Sequence, residues 1–253
     1  MRAPATAAVI VIGNEILSGR TKDANLSYIA AKLGAVGIRT MEARVVPDVE
    51  AMIVEAVNTC RQRYAYVFTT GGIGPTHDDI TARCIAAAFA VPFGRNAEAE
   101  RRLLAYYDPE MVNEARLSMA DTPEGVELID NPVSIAPGFR LENVYVLPGV
   151  PKILQAMVDG LVPNLQGGAP IVSLALTVYA PEGEMAAMLE GVQKAYPDLD
   201  LGSYPFFRQG RFGTTLVCRG VDAAKAAAAH AELRRQADAM GVESAVFDAV
   251  TDI

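Results

Sequence analysis

At 253 residues the chain exceeds one ordinary core and suits two, since domains run to about 100–200 residues. A composition 51% hydrophobic and 21% charged speaks against disorder. The charge of −8, with basic residues paired only at Arg101-Arg102 and Arg234-Arg235, gives no clustered face for a polyanion and disfavours nucleic acid as a partner.

The first element is the β-branched run Ala7 to Ile12, a buried strand too short for a signal core or a membrane span. A cytoplasmic protein that does not enter the membrane is expected. Leu26, Ile29, Ala30 and Leu33 recur at helical spacing, Thr40 to Val46 reads as a second strand, and Met52 to Cys60 as the helix behind it. Tyr66 to Thr70 is a third strand and Ile80 to Ala88 its helix, so the alternation predicts βαβ units on a parallel sheet. Residues 95 to 142 break the rhythm. Glu98 to Tyr107 and Pro109 to Ala120 read as helices, then Pro123, Pro132 and Pro137 as loop, which makes this stretch an insertion or lid. Asn143 to Leu147 and Ile153 to Leu161 restore the strand and helix.

Gln166 to Pro170 is the linker candidate, so the expected domains are 1–168 and 169–253. Beyond it, strand Val172 to Tyr179, helix Glu182 to Tyr196, strands Leu199 to Tyr204 and Phe212 to Arg219, and helix Ala223 to Met240 form a small βαββα, α+β domain. Cys60, Cys84 and Cys218 never form a CxxC pair and read as buried thiols; with only His77 and His230 beside them, no zinc site is written.

In open α/β sheets ligands bind outside the carboxyl ends of the strands. Those ends carry Gly13-Asn14-Glu15, Pro47-Asp48, Gly71-Gly72-Ile73-Gly74-Pro75 and Pro148-Gly149-Val150-Pro151. Gly71, Gly72 and Gly74 let amides approach a phosphate, and a helix start follows them. Asp78 and Asp79 would repel that phosphate unless a divalent cation bridges the two, with Glu15 and Asp48 completing an acidic cluster. The same residues also have ordinary structural uses: Thr76 to Asp79 reads equally as a capping box, Asp48 as a helix N-cap and Glu15 as a helix-start acid. His77 is a candidate acid or base or a solvated loop residue.

GGIGPTHDDIT resembles the signature loop of the MoaB/Mog molybdopterin-binding family, and GNEILSGRTKDANLSYIAAKL, RVVPD, NPVSIAPGF and VLPGVP are similar in order to the CinA amino-terminal branch, over roughly residues 7 to 165. The resemblance implies a three-layer α/β/α fold with a mostly parallel sheet, an oligomer, and a phosphorylated pterin or nucleotide as ligand. It implies functional acids at Asp79, Asp48 and Glu15, ligand contacts at Gly71, Gly72, Gly74, Pro75, Thr76, Asn25 and Gly149, and Mg2+ (or Mn2+ or Co2+) on Asp78, Asp79 and Glu15. Relatives of the CinA type resemble pyrophosphatases of ADP-ribose or FAD-like dinucleotides, and Mog-type relatives molybdopterin adenylyl transferases; a binding module without turnover is the third alternative. Lys152 departs from the pattern, which commonly has a glutamate there. The large carboxyl-terminal deamidase domain of full CinA proteins is not expected, nor is nicotinamide-nucleotide deamidation. The second domain looks like the small KH-like module of some relatives. Its GxxG, Gly210 to Gly213, precedes a strand and is expected to be a β-hairpin turn.

Overall fold

The computed structural model describes residues 5–208 and 210–246. The chain divides into two compact units, Met1–Gly168 and Ala169–Ile253, each with its own core.

In the first unit β1 (Ala5–Ile12), α1 (Asn14–Leu17), α2 (Asn25–Ala35), β2 (Ile38–Val46), α3 (Glu50–Arg63), β3 (Tyr66–Thr70) and α4 (Thr81–Phe89) follow one another. Next come β4 (Phe93–Arg95), α5 (Ala97–Tyr106), α6 (Glu114–Leu117), β5 (Asp121–Pro123), β6 (Glu127–Ile129), β7 (Gly138–Leu141), β8 (Val144–Leu147) and α7 (Pro151–Leu161). The main sheet has the order β2-β1-β3-β8-β7-β6. Its first four strands are parallel; β7 and β6 extend it in antiparallel sense.

β1 explains the layering. Its residues from Ala7 to Ile12 are buried, and successive side chains face opposite ways. Ala8, Ile10 and Ile12 share a core with Ile53, Val57 and Cys60 of α3 and Cys84 and Ile85 of α4. Ala7, Val9 and Val11 pack with Ile29 and Leu33 of α2 and Leu154, Met157 and Val158 of α7. Full burial of each such aliphatic side chain contributes about 1.5–3 kcal/mol, so both faces need a helical cover and the result is an α/β/α sandwich. Burial also pushes the Cys84 thiol up to about 11.

Where the chain departs from expectation, short elements are responsible. Pro109 to Ala120 is not one helix: 3₁₀ turns at Pro109–Met111 and Ser118–Ala120 flank α6, because the Asn113 side chain accepts from the Arg116 amide and starts a new helix there. The supposed loop around Pro123, Pro132 and Pro137 contains β5, β6 and β7, strands of three or four residues that periodicity cannot show. β4 pairs with β5 as a separate two-stranded sheet.

The second unit holds β9 (Val172–Val178), α8 (Glu182–Ala195), β10 (Asp200–Arg208), β11 (Arg211–Gly220), α9 (Ala223–Ala239) and a further strand that the sequence did not suggest, β12 (Ser244–Val246). They form an antiparallel sheet in the order β10-β11-β9-β12, with a core of its own around Leu176, Met185, Leu216 and Leu233. Gly210 has φ 77° between the paired Arg208 and Arg211, so the GxxG lies in a hairpin and joins no helices; Gln209 is outside the described residues.

Candidate functional site

The strand order creates the site. The chain leaves β1 for β2 on one side and returns to β3 on the other, so the carboxyl ends of β1 and β3 part company there, which is where open α/β sheets receive ligands. Gly13 ends β1 and Gly71 ends β3.

Gly71 is a joint before it is anything else. It has φ 106°, and a Cβ on it would lie 2.2 Å from the Ile12 carbonyl oxygen. Its N–H donates to the Leu147 carbonyl at 3.1 Å, so this amide is not available to a ligand as its glycine alone suggested. Gly72, at φ 68°, accepts from the Thr81 amide at 2.9 Å, and the Thr81 hydroxyl donates to the Gly71 carbonyl at 2.9 Å. Together these bonds weld α4 to the end of β3. Among the described residues the amides of Ile73 and Gly74 find no backbone carbonyl to donate to.

Asn25 makes the second joint. Its Nδ2 donates to the Thr70 hydroxyl and to the Gly149 carbonyl, both at 2.8 Å, while the residue is 4% exposed and its Oδ1 has no partner among the described residues. Asn25 and Gly149, both expected as ligand contacts, thus clamp α2, β3 and the loop after β8 together. Asp48 does not cap α3, whose N-cap is Val49; its Oδ2 accepts from the Asn14 amide at 2.8 Å and ties the loops after β1 and β2. Glu15, Asn25, Thr70 and Gly149 line a cavity of about 50 Å³.

A larger cleft of about 410 Å³ opens along the glycine loop, at Ile73, Gly74 and Pro75. One wall is Gly74, Pro75, Thr76, His77 and Asp79, and Ala82 and Arg83 bring the first turn of α4 to it. Asp79 Oδ2 accepts from the Thr76 amide at 2.8 Å and the Thr76 hydroxyl at 2.5 Å, which closes the turn. The bonding is half of the expected capping box, but α4 starts later, at Thr81, with Ile80 in the cap position and no side-chain cap. The Thr81 amide is spent on Gly72, but among the described residues those of Ala82 and Arg83 have no acceptor, and both residues line the cleft, an arrangement suited to an anion. Asp78 is exposed on the same turn.

The opposite wall, with Phe93, Met119 and Asp121, was not found from sequence, because it comes from the irregular segment between α4 and β6. Only Arg83 carried a signal, a base in the first turn after a glycine loop. Arg95 fixes this wall, bonding Asp121 at 2.6 Å, Glu114 at 2.6 Å and Glu100 at 2.8 Å. The Asp121 carboxylate, and after it Glu100 and Glu114, hold the guanidinium above its usual range.

Among the described residues no three of His, Cys, Asp and Glu gather into a group able to hold a metal ion. Glu15 borders the small cavity and Asp79 the large cleft, so Glu15, Asp78 and Asp79 do not close into a cage. Magnesium needs only one or two carboxylates when phosphate oxygens complete its shell. Of the three acids only Asp79 lines the cleft, with Asp78 next to it in the chain.

Residues 8–167, which include every residue lining the two cavities, match the family model described as a probable molybdopterin binding domain. Residues 170–246 match that of the FAD synthase middle domain. A CinA-like protein of Syntrophus aciditrophicus is 34% identical over 221 residues, covering 82% of this chain and 53% of its own length. The crystal structure of the protein CinA from Thermoplasma acidophilum superposes with a TM-score of 0.60 at 32% identity, over 63% of this chain and 97% of that one. The chain belongs to the CinA branch of the MoaB/Mog molybdopterin-binding family. A protein of Pyrobaculum arsenaticum is 36% identical to this CinA-branch chain over 208 residues, 78% of each. The chain spans about half the length of the Syntrophus CinA-like protein. No helix among the described residues is long and apolar enough to cross a membrane.

Proposed function

We propose that this CinA-branch protein binds a phosphorylated pterin or nucleotide in the cleft beside the glycine loop and hydrolyses the pyrophosphate of an ADP-ribose- or FAD-like dinucleotide. The observation that carries this is the cleft itself: about 410 Å³ walled by the 74–79 turn and the uncapped start of α4. The amides of Ile73, Gly74, Ala82 and Arg83 would hold non-bridging phosphate oxygens, and the Arg83 side chain would offset their charge. Asp78 and Asp79 would hold a divalent cation, magnesium, manganese or cobalt, against the same oxygens. When bound, that ion supplies Lewis-acid stabilisation of charge developing on the phosphoanhydride. Water attacks one phosphorus, the P–O–P bond breaks, and the other phosphate leaves. The likeness of residues 170–246 to a domain of FAD synthase supports a dinucleotide as the ligand class.

One feature favours binding without turnover. The first turn of α7 carries no acidic residue, and an exposed Lys152 stands there. Adenylyl transfer from ATP to a pterin phosphate uses the same loop and ion. A panel of ADP-ribose, FAD, and ATP with a pterin phosphate, with magnesium, manganese, cobalt or EDTA, separates the three. Metal-dependent AMP release from ADP-ribose or FAD is expected. ATP-dependent AMP transfer supports the second reading, and tight binding without product supports a module.

A further inference from the structure

Resting on that reading, we infer that the segment 93–121 seats the organic part of the ligand, and that Phe93 is the face on which a planar heterocycle joined to the phosphate stacks. The cleft's size lies in the range of small-molecule pockets of about 300–1,000 Å³, more than a lone phosphate requires. Its lining is divided. The Gly74 to Asp79 turn and Arg83 make a polar end, while Phe93, Met119, Pro137 and Phe139 supply apolar surface. A phosphate linked to a ring has the same two-part chemistry.

Phe139 is 2% exposed and belongs to the core, whereas Phe93 remains 44% exposed on a three-residue strand whose side chains are all exposed. A half-exposed ring beside an anion-suited turn gains most by covering its face with another ring. It is also held in place. Phe93 pairs with Pro123 across β4 and β5, and two residues on, Arg95 bonds Asp121, Glu100 and Glu114. A preformed platform of this kind costs the ligand little ordering on binding.

The chain contains no tryptophan, so Phe93→Trp in the full chain places a sole indole at the platform. Titration with AMP, ADP-ribose and inorganic pyrophosphate, each with magnesium, is followed by emission and by calorimetry. AMP and ADP-ribose are expected to change the emission, and pyrophosphate to bind without changing it. Phe93→Ala is expected to weaken AMP and ADP-ribose about ten-fold or more, with pyrophosphate unchanged and Phe93→Leu intermediate. Wild-type AMP affinity in Phe93→Ala, or calorimetric AMP binding to Phe93→Trp with unaltered emission, overturns the platform while leaving the phosphate site standing. If neither pyrophosphate nor AMP binds the wild type, both the platform and the function proposed above fall.

Discussion

Asp79 uses one carboxylate oxygen, Oδ2, to hold the Thr76 amide and hydroxyl. Asparagine in its place keeps a carbonyl oxygen for the turn but removes the charge that a cation needs. Asp79→Asn should therefore stay within about 1 kcal/mol of wild-type stability by thermal melting. Metal-dependent binding and any turnover should fall at least about ten-fold, since ion contacts lie well above neutral hydrogen bonds. Undiminished activity in the variant would move the metal to other residues. The glycines separate in the same physical way. Gly71 and Gly72 are required by positive φ and by backbone or side-chain contact at 2.2 Å, while Gly74 faces only the movable Asp79 carboxylate at 2.7 Å.

At the level of elements, the inserted segment between α4 and β6 is held more by one cation than by a large core. Its own apolar cluster of fully buried residues is Ala99, Leu103 and Ala120. Arg95, 27% exposed at its side chain, joins β4 to the start of α6, to α5 and to β5 through three carboxylates. Exposed pairs such as that with Glu114 contribute little, but removing a guanidinium shared with the partly buried Glu100 and Asp121 leaves those carboxylates without their cation. Arg95→Met should cost about 1–2 kcal/mol. Faster amide exchange confined to residues 114–121 should accompany it, with α2 and β1 unchanged. Uniform loosening of the whole first unit would refute a local role.

For the molecule as a whole, two cores stand behind two units, one spread over both faces of a mostly parallel sheet and one between an antiparallel sheet and two helices. Many exposed acids are paired with bases. Arg101 and then Arg102 hold the Glu98 carboxyl down to about 2 from an ordinary 4.5. Lys32 lowers Asp159, Lys225 lowers Asp198 and Arg235 lowers Glu232. Because the folded values lie below the unfolded ones, the unfolded chain binds protons more readily, and this stability is complete above the unfolded value. It is lost as pH falls, for Glu98 between 4.5 and about 2. The melting temperature should be flat with respect to these groups from pH 7 to 5 and should drop below that window, less steeply in high salt, which screens exposed pairs. A melting temperature that rises on acidification through the same window would contradict the assignment.

The unbroken apolar run of β1, the helical spacing of α2 and α3 and the glycine loop after β3 were legible because each is local: period, length and turn chemistry lie within a dozen residues. They determined a layered α/β unit with its ligand end at the strand termini, and a smaller α+β unit after it. The loop motifs also carried the likeness to the CinA branch. What only the tertiary structure decided was the use of those residues. Asn25 and Gly149 are joined by a hydrogen bond across 124 positions, and Asp48 and Asn14 across 34, distances at which no pattern in the chain records a partner. The cleft's far wall at Phe93 and Asp121 depends on strands of three residues, each too short to bury a face unaided, which exist because pairing and the Arg95 network hold them together.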